Sequence, residues 1–430
     1  MRMNTKMANP FRTFEGAPAI RPHKPIDQLR RAVATCLLWE NQFYEDGVSI
    51  ADRIEALVKQ CDKSDVEALA VEARHQMKLR HAPLWLLVAL ARDGRTADAM
   101  IYAKIINRAD EMGELIAMFW KDGKRPLPAQ MKRGIAHALG KFDEYRLAKY
   151  DRKVTVKLRD VLRLTHPKPV DAAQSEMWGR LIDGRLKTPD TWETALSSGA
   201  NKRDTFERLL ANGKLGYLAL LRNLRNMAES GVDTEAVRHA ILARKGAHNI
   251  LPFRYVAAAR AAPQFEPALD QALCASINEA PLLGGKTAVL VDVSGSMDWA
   301  LSDKSDMTRM DAAATLASII NGDVRVFTFS NSVVEVAPRR GMAGVDAVRN
   351  SQPRGGTYLG AAVDAINREV QYDRLIVITD EQSHDVVGAP KGRGYMMNVA
   401  SHQNGVGYGD WVRISGFSEN VVRFIREAEK

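Results

Sequence analysis

The chain has 430 residues, of which 46% are apolar and 26% charged, with a formal net charge of +9. At roughly 100–200 residues per domain that length accommodates two or three domains, and the composition excludes disorder of the whole chain. The longest apolar run, residues 82–91 (APLWLLVALA), is shorter than the roughly 20 residues of a membrane-spanning helix, so it is read as a buried helix and no membrane partner is expected.

Residues 1–20 carry a few positive charges but no apolar segment of signal-peptide type. They are read as a flexible N-terminus, and a cytoplasmic location is expected. The cysteines, Cys36, Cys61 and Cys274, are widely spaced and form no C-x-x-C pattern. They are expected to be small buried apolar residues, and neither a disulfide framework nor a zinc site. Charge is divided unevenly: residues 284–430 hold 16 Lys and Arg against 18 Asp and Glu, leaving 45 basic and 34 acidic residues in 1–283. The basic excess belongs to the first two thirds, where either a polyanion partner such as RNA or DNA or a merely solvated basic surface accounts for it.

From Ile26 to about Ala280 the apolar spacing is helical. Ile26, Leu29, Val33 and Cys36 recur at helix period, as do Leu158, Val161 and Leu162, and Leu215, Leu218, Leu221 and Met227. Pro167 and Pro169, Gly231 and Gly246 close helices. Antiparallel helix pairs in an α-solenoid are the expected packing of residues 21–283. At residues 281–285 the texture changes, and 284–430 alternates strands with helices. Strands are expected at 287–293, 324–329, 333–336 (an edge strand), 374–379, 395–399 and 411–417, and helices at 310–320, 357–370 and 419–428. Continuous apolar strands alternating with helices predict a doubly wound, Rossmann-like, mostly parallel sheet covered on both faces.

In such a sheet ligands sit beyond the carboxyl ends of the strands, and the chemistry of the sequence falls there. Strand 287–293 runs into Asp292-Val293-Ser294-Gly295-Ser296, a D-x-S-x-S; Gly355-Gly356-Thr357 opens a helix; strand 374–379 ends in Asp380. Asp292, Ser294, Ser296, Thr357 and Asp380 are all oxygen donors, hard ligands suited to Mg²⁺, with Ca²⁺ or Mn²⁺ as substitutes and zinc disfavoured. With only two carboxylates, the set leaves coordination positions for water or a partner's carboxylate. The order resembles the metal-ion-dependent adhesion site of the von Willebrand factor A fold. That resemblance implies direct hydroxyl ligation by Ser294, Ser296 and Thr357, with Asp292 and Asp380 close to the ion or bridged to it through water. Asp298, Asp303 and Asp306 lie in the following loop and are read as a solvated loop rather than as tuners of the ion.

Further motifs run along the chain: Lys149-Tyr150, then Arg159-Asp160-Val161-Leu162-Arg163-Leu164-Thr165-His166-Pro167-Lys168-Pro169, then Leu218-Ala219-Leu220-Leu221-Arg222-Asn223-Leu224 and Leu251-Pro252-Phe253. With Asp27-Gln28-Leu29-Arg30-Arg31 and Asp292–Met297, their joint order resembles the TROVE family over about residues 20–420. The resemblance implies a ring of HEAT-like helices closed by a von Willebrand factor A domain, a Ro-type ribonucleoprotein that binds Y-like noncoding RNA on its outer basic face and single-stranded 3′ ends of misfolded RNA in its central hole. It places the RNA-binding basic residues and histidine on Lys149, Lys153 and His166. At Lys153 the family has arginine, so a point charge replaces bidentate phosphate recognition. Lys132 and Arg133 add charge to an expected amphipathic helix at 127–141.

Arg163, Arg222 and Asn223 fit either an RNA contact or an architectural role. Arg222 lies within an apolar helix, where a buried arginine would brace a neighbouring helix through an acid or a carbonyl. No catalytic His or Cys arrangement accompanies the metal motif, and two carboxylates are few for a two-metal nuclease. The expectation is therefore a monomeric, non-enzymatic RNA-binding protein, in a role of RNA quality control or of tethering RNA to an exoribonuclease that the resemblance alone implies. The alternative is a protein-interaction adaptor whose divalent-metal site grips a partner carboxylate.

Overall fold

The computed structural model describes residues 24–35, 47–77, 79–151, 154–250, 252–279, 282–300, 307–400, 405–407, 409–415, 425 and 429. In chain order the helices are α1 (Pro25–Thr35), α2 (Gly47–Val58), α3 (Lys63–His75), α4 (His81–Arg92), α5 (Ala99–Ile105), α6 (Asp110–Phe119), α7 (Ala129–Leu139), α8 (Glu144–Tyr150), α9 (Leu158–Thr165), α10 (Ala172–Ile182) and α11 (Trp192–Ser197). There follow α12 (Lys202–Ala211), α13 (Tyr217–Glu229), α14 (Thr234–Ala243), α15 (Phe253–Ala261) and α16 (Glu266–Asn278), then α17 (Arg309–Ile319), α18 (Gly341–Arg349) and α19 (Leu359–Glu369) among the strands β1 (Leu283–Asp292), β2 (Gly322–Phe329), β3 (Val333–Val336), β4 (Arg374–Thr379), β5 (Arg393–Asn398) and β6 (Trp411–Ser415). Two compact units result, one of residues 49–201 and one of 1–48 with 202–430.

The first of these units is helical. Residues 82–91 of α4 are buried without exception, as a helix apolar on every side requires. Each of its large side chains contributes roughly 1.5–3 kcal/mol on burial. Trp85 satisfies its indole by donating to the Ala51 carbonyl at 3.1 Å. Charge inside the unit is matched: Arg74 donates to both oxygens of the fully buried Glu111 at 2.6 and 2.7 Å, and Glu111 also accepts from the Asn107 and Arg108 amides at 2.9 and 3.1 Å.

In the other unit the sheet runs β3-β2-β1-β4-β5-β6, parallel throughout except for the antiparallel edge strand β3. Leu290, Phe329, Val377 and Met396 pack on one face against Leu359, Val363 and Ile366 of α19. Every residue of α17 is buried. This layer extends into the last helices of the basic region, since α15 packs on α17 and α16 on α18. Arg260 of α15 grips the fully buried Asp311 of α17, which Arg349 of α18 also approaches at 3.0 Å. Asp270 of α16 accepts from the Met342 amide at 2.8 Å. Thus α15 and α16 share a compact unit with the sheet, although the change of sequence texture falls after them.

The mixed fold expected from the sequence, helices first and an α/β sheet after, is the fold observed. Expected strands and helices between 287 and 415 lie within a few residues of their observed bounds. Of the expected helix 419–428 only Ile425 is helical and buried among the described residues, and Cys36 lies outside them. Helix α18 escaped the sequence reading because Gly341 and Gly344 break its pattern; its buried face is Met342, Val345 and Val348. In α13 the chosen stripe was partly the wrong one: Leu218 is exposed, and Tyr217, Leu220, Leu221, Leu224 and Met227 form the buried face. Cys61 is buried as expected, whereas Cys274 is only half-buried. Among the described residues no helix is long and apolar enough to cross a membrane.

Candidate metal centre and nucleic-acid interface

β1 and β4 are neighbours where the strand order reverses, the position at which open α/β sheets bind ligands. Asp292 ends β1 and Asp380 immediately follows β4, so both carboxylates arrive at one sheet edge, fully buried. Asp292 Oδ1 accepts from the Ser294 amide at 2.8 Å and Oδ2 from the Thr379 hydroxyl at 2.6 Å. Asp380 Oδ1 accepts from the Gln382 amide at 3.1 Å. Ser294 Oγ and Ser296 Oγ are 3.3 Å apart. The loop of Thr357 is tied to this cluster: the Gly295 amide donates to the Gly355 carbonyl at 3.2 Å, and the Thr357 amide donates to His384 Nδ1 at 3.0 Å. The structure therefore brings the five predicted ligand residues to one edge.

Electrostatically the two buried carboxylates act against each other. Burial, and next the neighbouring Asp380 carboxylate, push the Asp292 pKa up to about 7, while hydrogen bonds from Ser294 and Thr379 pull the other way. Arg309, 2% exposed on α17, places Nη1 3.8 Å from Asp380 Oδ2, beyond hydrogen-bonding distance. The donors are hard oxygens, a set that fits Mg²⁺. Among the described residues no group of three or more His, Cys, Asp or Glu side chains could hold a metal, so a cation here would depend on the hydroxyls.

The sequence reading missed Arg309, Thr379 and His384. Thr379 is a strand residue until its register beside Asp292 is known. His384 stacks on Tyr358 with ring centroids 5.0 Å apart, and only its position after strand β4 could have signalled it. Of the acidic loop, Asp298 pairs with Arg354 at 3.0 Å, and Asp303 and Asp306 lie outside the described residues.

The RNA-facing candidates belong to the helical unit. Met131, Ile135, Ala138 and Leu139 bury one face of α7, leaving Lys132 half-buried and Arg133 exposed. Lys149, in the last turn of α8, is half-buried, its Nζ 5.8 Å from the Tyr150 ring. Lys153 lies outside the described residues. Helix α9, which packs on α7, buries Leu158, Val161, Leu162 and Thr165 and exposes Arg159 and Arg163 four residues apart. His166 is exposed and caps α9 in the left-handed conformation, φ 47° and ψ 54°, its amide donating to the Leu162 carbonyl at 2.9 Å. A non-glycine residue there costs roughly 1 kcal/mol. None of Lys132, Arg133, Lys149, Arg159, Arg163 and His166 makes an ion pair among the described residues.

The architectural alternative separates cleanly for the motif residues. Asn223 is 2% exposed and donates to the Ala219 carbonyl at 2.9 Å while accepting from Asn226 at 3.1 Å. It is structural. Arg163 and Arg222 are exposed, so the buried brace expected of Arg222 is not formed; the apolar face of α13 turns away from it.

Comparison with known proteins fits this architecture. A TROVE domain family matches residues 174–269, and a von Willebrand factor type A domain family matches residues 287–382, a stretch that contains all five predicted ligands. The mouse (Mus musculus) telomerase protein component 1 is 35% identical over 79 residues, and its rat (Rattus norvegicus) counterpart 34% over 79; each match covers 17% of this chain and 3% of the relative's length. The crystal structure of the Deinococcus radiodurans Ro (RSR) protein superimposes with a TM-score of 0.65 at 17% identity, over 94% of this chain and all of that one. At that identity the likeness concerns the fold, a helical region followed by an α/β sheet. The chain carries a TROVE domain followed by a von Willebrand factor type A domain.

Proposed function

We propose that this protein is a Ro-type RNA-binding protein that holds structured, Y-like noncoding RNA on the basic side chains of α7, α8 and α9. The observation that carries the reading is a set of five cations and a histidine that make no ion pair among the described residues, Lys132, Arg133, Lys149, Arg159, Arg163 and His166. In the same unit Arg74, Arg80, Arg92, Arg95, Arg108 and Arg180 are all paired with acids. Structured RNA is recognised by shape and phosphates, for which an unneutralised basic face is suited. The fold likeness to the Ro protein supports the same reading. The closed ring of HEAT-like helices and the entry of single-stranded RNA ends into its hole belong to this proposal. So do non-enzymatic action, a cytoplasmic role in RNA quality control beside an exoribonuclease, and a monomeric state.

The second half of the proposal is a divalent cation, Mg²⁺ by donor chemistry, held by Asp292, Ser294, Ser296, Thr357 and Asp380. When bound, the ion supplies a positive charge with coordination positions open to water or a partner's carboxylate. Thr379 and the Ser294 amide fix the orientation of Asp292, the Gln382 amide that of Asp380, and His384 the backbone of Thr357. An adaptor whose helices are scaffold alone is not favoured, because the TROVE match lies in those helices.

The test is an anisotropy titration with a structured RNA bearing a 3′ single-stranded tail, at 50 and 200 mM salt, beside the Lys149→Glu/Arg163→Glu/His166→Ala variant. Wild-type binding should weaken steeply with salt, and the variant should bind about 100-fold more weakly with an unchanged melting temperature. Equally weak binding by both proteins would sink the reading.

A further inference from the structure

Three arginines surround α15, and they are treated differently. Arg225 of α13 donates through Nε to the Ala261 carbonyl at 3.3 Å, at the carboxyl end of the helix, where a cation is favoured by the backbone dipole. Arg260 is held by Asp311. Arg254 has neither kind of partner. Its guanidinium carbon lies 4.9 Å from the Phe253 ring centroid, in a first turn that contains no acid and where the dipole disfavours positive charge.

A charge on the neighbouring helix adds to the imbalance. Helix α13 packs on α15 and presents the exposed Arg222. Arg254 is exposed, yet enough protein surrounds its guanidinium that desolvation, and next the Arg222 charge, lower its pKa from the usual arginine value. Neither Arg222 nor Arg254 forms an ion pair or hydrogen bond among the described residues. Two exposed guanidinium groups on packed helices, neither with an acid partner, are an electrostatic cost of folding that an external anion would remove.

We propose that Arg222 and Arg254 form a second RNA-contact site, gripping a backbone phosphate between the guanidinium groups of α13 and α15, with Phe253 fixing the plane of Arg254. The inference rests on the RNA reading above and extends it from the 49–201 unit to the other one. Guanidinium forks match phosphate oxygens in pairs of parallel hydrogen bonds, so the site takes a phosphodiester whatever the base attached to it. This also gives the Leu218–Leu224 motif a polar purpose: Leu220, Leu221 and Leu224 build the core, Asn223 holds the helix, and Arg222 faces outward.

The experiment uses the full chain in the same titration, with the Arg222→Gln/Arg254→Gln variant, its Lys/Lys counterpart, and the α8–α9 variant in parallel. The Gln pair should lose about tenfold to 100-fold in affinity and flatten the salt slope by roughly 1–2, while its melting temperature holds or rises because the two like charges are gone. The Lys pair should keep most of the slope. Wild-type affinity and slope in the Gln pair, with binding still lost in the α8–α9 variant, would overturn this inference alone. A melting temperature several degrees lower in the Gln pair would overturn it as well, because the arginines would then be a brace. Absence of salt-dependent binding by the wild type would remove both readings.

Discussion

The helical unit of residues 49–201 and the sheet domain misplace charge in opposite ways. In the former, interior charge is matched within the protein, as in Arg74 with Glu111, and the surplus is cationic and at the surface. In the latter, two carboxylates, Asp292 and Asp380, are fully buried at one sheet edge, with the buried Arg309 3.8 Å from Asp380. Unmatched surface charge costs little in water and acts at long range, so it suits a large, diffusely charged partner and weakens with salt. Two buried carboxylates beside each other cost far more, and a cation at short range relieves that cost. The two regions thus call for partners of different size and sign, a polyanion for one and a metal ion for the other.

The comparison is broken most forcefully from its matched half. Glu111→Gln keeps an oxygen for the Asn107 and Arg108 amides but takes the negative charge from the buried Arg74 and turns an NH2 group toward it, so stability should fall by about 3–5 kcal/mol. Thermal or denaturant unfolding reads the effect. If the variant melts within a degree of the wild type, the interior of that unit does not depend on its charge match.

The next effect lies in the sheet. Added Mg²⁺ should raise the melting temperature of the wild type by several degrees at pH 7.5 through preferential binding to the folded state, and should leave Asp292→Asn unmoved. The gain should shrink as the pH falls below about 7. Burial and Asp380 raise the folded pKa of Asp292 to about 7, so acid supplies the proton that competes with the ion. Without metal the signs reverse: a carboxyl with a raised pKa favours the folded state most when protonated, and that contribution is lost as the pH rises through 7. Asp292→Asn should therefore melt no lower than the wild type at pH 8 in a chelator. A Mg²⁺ response that grows on acidification would contradict the assignment.

The two regions differ also in how far the sequence exposes them. The carboxylate pair is legible because its residues sit at strand ends: a fully apolar β1 and β4 leave Asp292 and Asp380 at the same edge by topology alone. Arg309 and His384 are not legible, since each reaches the centre through the packing of α17 or the fold of a loop. The cationic surplus is legible only as a regional excess. Arg95 and Arg108 pair with acids two positions away, but other matches depend on partners 30–40 positions away, such as Arg180 on Glu144 and Arg74 on Glu111. Arg222 shows the limit. Its place in an apolar run suggested burial, but α13 turns Leu220, Leu221 and Leu224 inward on one face and leaves the arginine on the other.

The smallest effect sharpens the cationic half. His166 occupies a left-handed position that glycine would fill without strain. Replacing it with glycine relieves roughly 1 kcal/mol of backbone strain but restores about 0.4–1 kcal/mol of freedom to the unfolded chain. The two nearly cancel, and the melting temperature should move by no more than a degree or two. RNA affinity should nonetheless fall by about threefold to tenfold, because one polar contact is removed from the basic face while the end of α9 is preserved. His166→Asn, which tolerates the same backbone, should bind with intermediate affinity. Should both variants bind as tightly as the wild type, the histidine serves only to end the helix, and the RNA face would have to be drawn through Arg159 and Arg163 without it.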